Sequence, residues 1–328
     1  MSEPPVVLVS SASQKAPLLH AMRQAVRRLQ PAGKVIAGDR NGNAVARYLA
    51  DDFWLMPQTT DEQLDALLRG CEERGIGAVL PTRDGELAFW ARHRDTFGRA
   101  GIGVIVSPLL SVQRCLDKLA FARWGRDNAL PIIPAVDRID AIAAARLVVK
   151  ERFGAGSASL GLNLDRREAV EHATRLDNPI FQPHVTGREI SVDAWLDASG
   201  TLKGLVMRER TLIVDGESKV TTTFSDAALE ARLVPIMEKL DLRGPVVVQA
   251  LIDDSGNMHI IECNTRFGGA STAALAVGLD PFYWSLMELN GGNVEQLSFE
   301  RSSHELRQVR IAEDKHFIMG SGQTIRSP

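Results

Sequence analysis

Val246 to Ser271, VVVQALIDDSGNMHIIECNTRFGGAS, brings acid, amide and guanidinium groups together within a few turns of chain. Side chains on a strand alternate between its faces. Glu262 and Asn264 in MHIIECN therefore project one way, with Ile261 and Cys263 expected on the other side. Asp254-Ser255-Gly256-Asn257 has hairpin-turn composition. If Asp254 faces Asn257, Gln249 faces Glu262 across the ladder. One carboxylate and two amide oxygens then share a patch of an apolar sheet, and such a hard-oxygen set suits Mg²⁺, with water and phosphate completing the shell. Val246, Val247, Val248, Leu251, Ile260 and Ile261 make the setting look buried. A buried carboxylate there needs a partner.

Other groups have the right chemistry and a looser pattern. An apolar run ends in Lys150 and continues as Gly154-Ala155-Gly156-Ser157-Ala158-Ser159-Leu160-Gly161. Glycines let backbone N–H groups approach an anion and the lysine adds charge, so the loop suits either a phosphate cover or a flexible surface turn. It lacks the Gly-Lys-Ser/Thr triplet of a P-loop. Backbone groups of Phe181-Gln182-Pro183-His184-Val185 could meet the edge of an adenine. Arg208, Arg210, Lys219 and Arg266 offer donors for a carboxylate or phosphate. Asp215 to Lys219 reads equally as a substrate loop or a hairpin turn. His184 and His259 have no zinc-ligand spacing.

The elements that must carry these residues fall into two styles. Up to about residue 107, short apolar strands at Val6–Ser10, Lys34–Gly38, Phe53–Met56, Ala78–Leu80 and Gly103–Val106 alternate with helical patterns such as Leu18, Met22, Val26 and Leu29. This predicts a doubly wound parallel sheet whose ligand crevice lies beyond the strands' carboxyl ends. Those ends carry Ser10, Ser11, Ser13, Lys15, Asp39 and Thr82 to Glu86. No GxGxxG follows the first strand. Ser107 to Val112 reads as a linker and Asp117 to Leu130 as a helix. Beyond it, Leu147–Lys150, Ile180–Val185, Glu189–Leu196 and Leu202–Val214 read as strands, and Leu229 to Leu240 as an amphipathic helix before the hairpin.

The chain has 328 residues, 45% hydrophobic and 24% charged, with net charge −3. That is enough for two or three compact units with a sizeable core. It argues against a mainly electrostatic nucleic-acid or membrane partner. Cys71, Cys115 and Cys263 are widely spaced, as expected of free thiols in a reducing cytoplasm. No signal peptide is expected from MSEPPVVLVSSAS, and no run of about 20 apolar residues suggests a membrane span.

From about Ser111 to Gly292 the chain resembles the ATP-grasp superfamily. The likeness rests on Asp117-Lys118, on VVKERFGAGSASLG, on QPHVTGREISVDA and on VVVQA…HIIECNTRFGG. It is nearest to the group similar to the carbamoyl-phosphate synthase large subunit and its smaller amino-acid-joining relatives. Glu151, Ala158 and Thr265 stand where that family more often has proline, a basic residue and proline. The resemblance implies an α/β N-terminal domain (1–107), a small subdomain with a glycine-rich lid (108–183) and a large subdomain with the magnesium site (184–328). It implies that Lys118, Lys150 and the loop of Gly154, Gly156, Ser157 and Ser159 meet ATP phosphates. The backbone at Gln182 and His184 would meet adenine, and Glu189 the ribose. Gln249, Glu262 and Asn264 would hold Mg²⁺, with Mn²⁺ as the alternative ion. Arg266, with Lys150 and Arg210, would serve the reacting groups. The implied activity is carbon–nitrogen ligation of a small, amino-acid-like carboxylate to an amine or ammonia through an acyl phosphate. The expected setting is the cytoplasm, with a homodimer one possible assembly that the sequence leaves open. The rival is a nucleotide-binding sensor or scaffold of the same fold.

Overall fold

In the N-terminal third, strands β1 (Val6–Ser10), β2 (Lys34–Asp39), β3 (Asp52–Leu55), β4 (Ala78–Pro81) and β5 (Gly103–Val104) form one parallel sheet in the order β3-β2-β1-β4-β5. The computed structural model describes all residues except 1–4, 14, 155–158, 215, 298, 312, 315, 318–323 and 326–328. Helices α1 (Ala16–Leu29), α2 (Leu64–Glu73) and α3 (Asp84–Arg99) cover the sheet. Central strands are buried on both faces, so Val7, Leu8 and Val9 form an unbroken apolar run rather than an alternating one. The order reverses between β1 and β4, which opens the crevice at their carboxyl ends. There the buried Glu86 carboxylate accepts from the Ser10 and Ser11 hydroxyls, the Thr82 and Arg83 N–H groups and the Trp90 indole. Burial pushes this carboxyl up despite those donors.

Ser107–Val112 is not a bare linker, because helix α4 (Leu109–Leu116) starts within it. The serines that read as loop chemistry are buried and serve backbone groups. The Ser107 hydroxyl donates to Arg243 O, and that of Ser111 to Asp241 O. Helix α5 (Lys118–Asp127) follows. A three-stranded antiparallel sheet, β7-β6-β8, comes next, from β6 (Leu147–Glu151), β7 (Gly161–Leu164) and β8 (Pro179–Pro183). Helix α6 (Arg166–Ala173) packs on it.

The last part is a six-stranded antiparallel sheet. Its strands are β9 (Arg188–Leu196), β10 (Leu202–Val214), β11 (Glu217–Phe224), β12 (Gly244–Ile252), β13 (Met258–Asn264) and β14 (Arg307–Val309), in the order β13-β12-β9-β10-β11-β14. Helices α7 (Ala227–Lys239), α8 (Thr272–Ala276) and α9 (Pro281–Leu289) accompany it. One face, with Ile190, Val192, Val248 and Ile260, joins Leu119 of α5 and Leu233 of α7 in a single core. Phe267 and α9's Phe282 belong instead to the core under α1, with Leu18 and Leu19. Among the described residues no helix is long and apolar enough to cross a membrane.

The hairpin departs from the simple turn. Its loop closes one residue earlier, with Asp253 N–H bonded to Asn257 O, so Ile252 pairs with Met258. A bulge between the Ala250–Ile260 and Gln249–Glu262 pairs then restores the count. Ile261 consequently stands half-exposed beside Glu262 and outside the core that takes Met258, Ile260 and Cys263, not on the Cys263 side as expected.

Candidate functional site

The open face of the six-stranded sheet carries a row of polar residues in register. Glu262 lies opposite Gln249, Gln249 opposite Ser191, and Ser191 opposite Arg208. Paired residues share a face, so these groups point the same way. Asn264 lies two residues along, and its Nδ2 donates to Glu262 Oε1 at 3.2 Å. The Ser191 hydroxyl is buried with no hydrogen-bond partner among the described residues. Arg208 and Asp193, both nearly inaccessible, pair at 2.6 Å, and the Ser271 hydroxyl donates to the other Asp193 oxygen. Arg210 donates to Glu189, to Gln249 Oε1 at 3.2 Å and to Gly216 O at 2.7 Å.

Arg266 leaves the end of β13 and reaches the N-terminal domain. Its Nε and Nη2 each meet one Asp84 oxygen at 2.6 Å. Nη1 donates to Phe267 O at 3.0 Å, and Nη2 also faces Asn264 Oδ1 at 3.4 Å. A guanidinium has five N–H groups, so one Nη1 proton remains for another acceptor. Asp84 was legible as a strand-end residue, but nothing in its spacing links it to Arg266.

The small sheet brings the lysines. Lys150 is buried at the end of β6, and its ammonium is held at about 8, mainly by burial, with Glu262 raising it and Lys118 lowering it. Lys118 Nζ donates to Gly154 O at 2.7 Å. The two segments are stapled by Asp117. Its carboxylate caps α5 through the Leu119 and Ala120 N–H groups and pairs with Arg152, and Lys118 N–H bonds Arg152 O. Glu151, in the place of a proline, accepts from the Asp177 and Asn178 N–H groups and so ties down the entry to β8. Gly154 (φ +103) and Ser159 (φ +57) adopt left-handed backbone. Gly156, Ser157 and Ala158 lie outside the described residues. Gln182 is buried, with its backbone in the β6–β8 ladder and its side chain donating to Ile133 O. His184 N–H bonds Arg146 O.

Asp84, Leu116, Lys118, Gly154, Glu262 and Asn264 line one cleft where the three sheets meet. Among the described residues there is no group of three His, Cys, Asp or Glu side chains that could hold a metal by itself. With Glu262 as its one carboxylate, the row Glu262–Asn264–Gln249 suits a hard cation that takes its remaining ligands from phosphate and water. The unpartnered Ser191 hydroxyl beside Gln249 keeps that row polar. Arg310 and Glu217 also border the loop after Arg266. A Cβ built on Gly269 would stand 3.4 Å from Arg310 Nη2 and 3.9 Å from Glu217 Oε1. Sequence reading passed over Arg310, which follows a three-residue strand with no diagnostic spacing.

Residues 175–313 match a family described as ATP-grasp in the biosynthetic pathway with Ter operon, and residues 7–105 match the PylC-like N-terminal domain. No curated protein sequence matches the chain. Among solved structures, it is similar to the biotin carboxylase domain of Hydrogenobacter thermophilus 2-oxoglutarate carboxylase, crystallised with MgADP, ADP and bicarbonate. The TM-score is 0.75 at 16% identity, covering 93% of this chain and 74% of that one. It is also similar to N5-carboxyaminoimidazole synthetase from Staphylococcus aureus complexed with ADP, with TM-score 0.71 at 13% identity over 94% and 81% of the two chains. For N5-carboxyaminoimidazole ribonucleotide synthetase from Thermus thermophilus the values are 0.67, 19%, 87% and 78%. At these identities the structures speak for the fold. The two family matches thus place an ATP-grasp region at residues 175–313 behind a PylC-like N-terminal domain at residues 7–105, and the solved structures agree with this chain in fold.

Proposed function

We propose that the protein is an ATP- and magnesium-dependent ligase that joins a small, amino-acid-like carboxylate to an amine or ammonia. The observation that carries this reading is the convergence of Lys118, Glu262 and Asn264 on one cleft, with Arg266 next to Asn264 and Lys150 under the influence of Glu262. The solved relatives bound to ADP or MgADP support it.

A carboxylate in water is a poor electrophile, and phosphorylation makes it reactive. In the proposed reaction a carboxylate oxygen attacks the γ-phosphorus of ATP and ADP leaves. An amine nitrogen then attacks the acyl phosphate, phosphate departs, and the nitrogen gives up a proton. Lys118 and Lys150 hold the phosphates, and Gly154 to Gly161 cover them. The backbone near Gln182 and His184 borders the adenine, and Glu189, paired with Arg210, takes the ribose. Gln249, Glu262 and Asn264 would hold Mg²⁺, which when bound neutralises charge on the phosphates. Arg266 uses its remaining Nη1 proton, held in direction by Asp84, to stabilise the transferring phosphoryl group. Such catalysis is positioning and charge stabilisation, with no covalent enzyme intermediate. Covering the site keeps water from the acyl phosphate.

The test is ADP release from MgATP with each amino acid supplied in turn, alone and in pairs. Glu262→Ala should lower stimulated release by about a hundredfold or more. Near-normal release in that variant would remove the magnesium assignment. ATP binding without stimulated release by any carboxylate would favour the sensor reading.

A further inference from the structure

Four arginines surround the reacting face, and each has its own carboxylate: Arg208 with Asp193, Arg210 with Glu189, Arg266 with Asp84 and Arg310 with Glu217. Lys219 shares Glu217. Lys15 differs from all of them. It leaves the N-terminal crevice just before α1, and its ammonium feels Arg266 and Arg310 as like charges and Glu217 and Asp84 as opposite ones. Among the described residues it forms no ion pair and no side-chain hydrogen bond, although it is half-buried. Burial first, and then Arg266, hold the ammonium below the usual lysine range. The immediate group counts three cations, Lys15, Arg266 and Arg310, against two carboxylates, Asp84 and Glu217.

The placement of Lys15 is built into the fold. The Thr82 hydroxyl donates to Ser10 O at 2.8 Å and to Ser11 O at 3.0 Å, which fastens the β1 loop to the β4 end. Ser13 N–H bonds Asp39 at 2.8 Å. Ser11 (φ 50) and Ser13 (φ 29) occupy the left-handed region without being glycines. Such backbone persists only where its surroundings over-determine it. Phe267, the residue after Arg266, packs in one core with Leu18 and Leu19 of α1. The start of α1 is therefore seated beside the Arg266–Gly269 loop, at the switch point where α/β sheets receive ligands.

We propose that Lys15 determines specificity for the acyl donor, its ammonium receiving the substrate carboxylate next to Arg266. The N-terminal crevice then forms one wall of the substrate site, and the ligand class is a small carboxylate recognised through its negative charge. This rests on the ligase reading and adds to it the residue that selects the carboxylate.

The full-length protein tests it directly. Acetylation of Lys15 by N-hydroxysuccinimidyl acetate is followed by peptide mass spectrometry in the presence of MgADP, with the exposed Lys34 as internal reference. Each L-amino acid is added in turn, with its carboxamide as control. At least one amino acid should slow Lys15 acetylation by about tenfold relative to Lys34, the worth of one charge-assisted hydrogen bond, and its carboxamide should not. The thermal shift given by that amino acid should disappear in Lys15→Met and return in Lys15→Arg. Unchanged acetylation with every amino acid, equal slowing by the carboxamide, or a Lys15→Met defect that falls equally on MgADP binding would overturn the proposal. Failure of the ligase reading looks different: Lys15 is protected while no amino acid stimulates ADP release.

Discussion

Lys150, in its proposed role, sets ligand binding against stability. Its ammonium is buried and held at about 8, first by desolvation. Between that value and the unfolded value of 10.5 the unfolded chain binds more protons, so this residue's contribution to stability rises with pH across the window and is least favourable below it. Lys150→Met should therefore stabilise the ligand-free protein near neutral pH, on the order of 1–3 kcal/mol by thermal or urea denaturation. The same variant should lose ATP turnover. In the unmodified protein, kcat/KM for ATP should fall as pH rises through about 8, because the ammonium facing Glu262 and Lys118 loses its charge. A flat profile between pH 7 and 9 would contradict the phosphate-binding role of Lys150.

The elements hold Lys118 and Lys150, the lysines proposed to meet the phosphates, in place by local stapling. Asp117 caps α5 and grips Arg152 at the end of β6. Burial alone would raise its carboxyl, but Arg152 and the cap N–H groups hold it below the usual range. Asp117→Ala should cost about 1–2 kcal/mol in thermal denaturation and raise KM for ATP by letting Lys118 wander. The polar row itself was legible, because strand alternation fixes which side chains share a face. The Gln249–Glu262 pairing was anticipated through a turn one residue too short. The actual loop and the bulge differ from that picture by one residue each, in opposite senses, and the pair survives. Helix α3 escaped attention although Leu87, Trp90 and Phe97 recur at helical spacing, because its first turn looks like strand-end chemistry. Helix α4 was hidden by serines whose backbone partners lie some 130 residues away. Arg310 and the Arg266–Asp84 pair were beyond sequence reading, since long-range ion pairs leave no periodicity.

Across the whole molecule, the N-terminal domain and the large sheet are joined at Arg266, the residue proposed to face the transferring phosphoryl group. Both members of the Arg266–Asp84 pair are about 15% exposed at the side chain, so removing one charge leaves the other largely desolvated. Asp84→Asn should cost roughly 2–3 kcal/mol in thermal denaturation. It should also lower kcat more than KM for ATP, since Arg266 loses direction rather than presence. Asp84→Glu should restore part of the rate. A variant with full kcat would show that the pair is only an anchor. Phe267 stacks on Phe282 at 4.0 Å between ring centres and shares its core with α1, so the segment bearing Arg266 is clamped from two sides. In mechanical terms Arg266 is bolted to the frame twice: the crevice holds its fork through Asp84 and the α1 core holds its stem through Phe267, so loosening either fastening should misaim it.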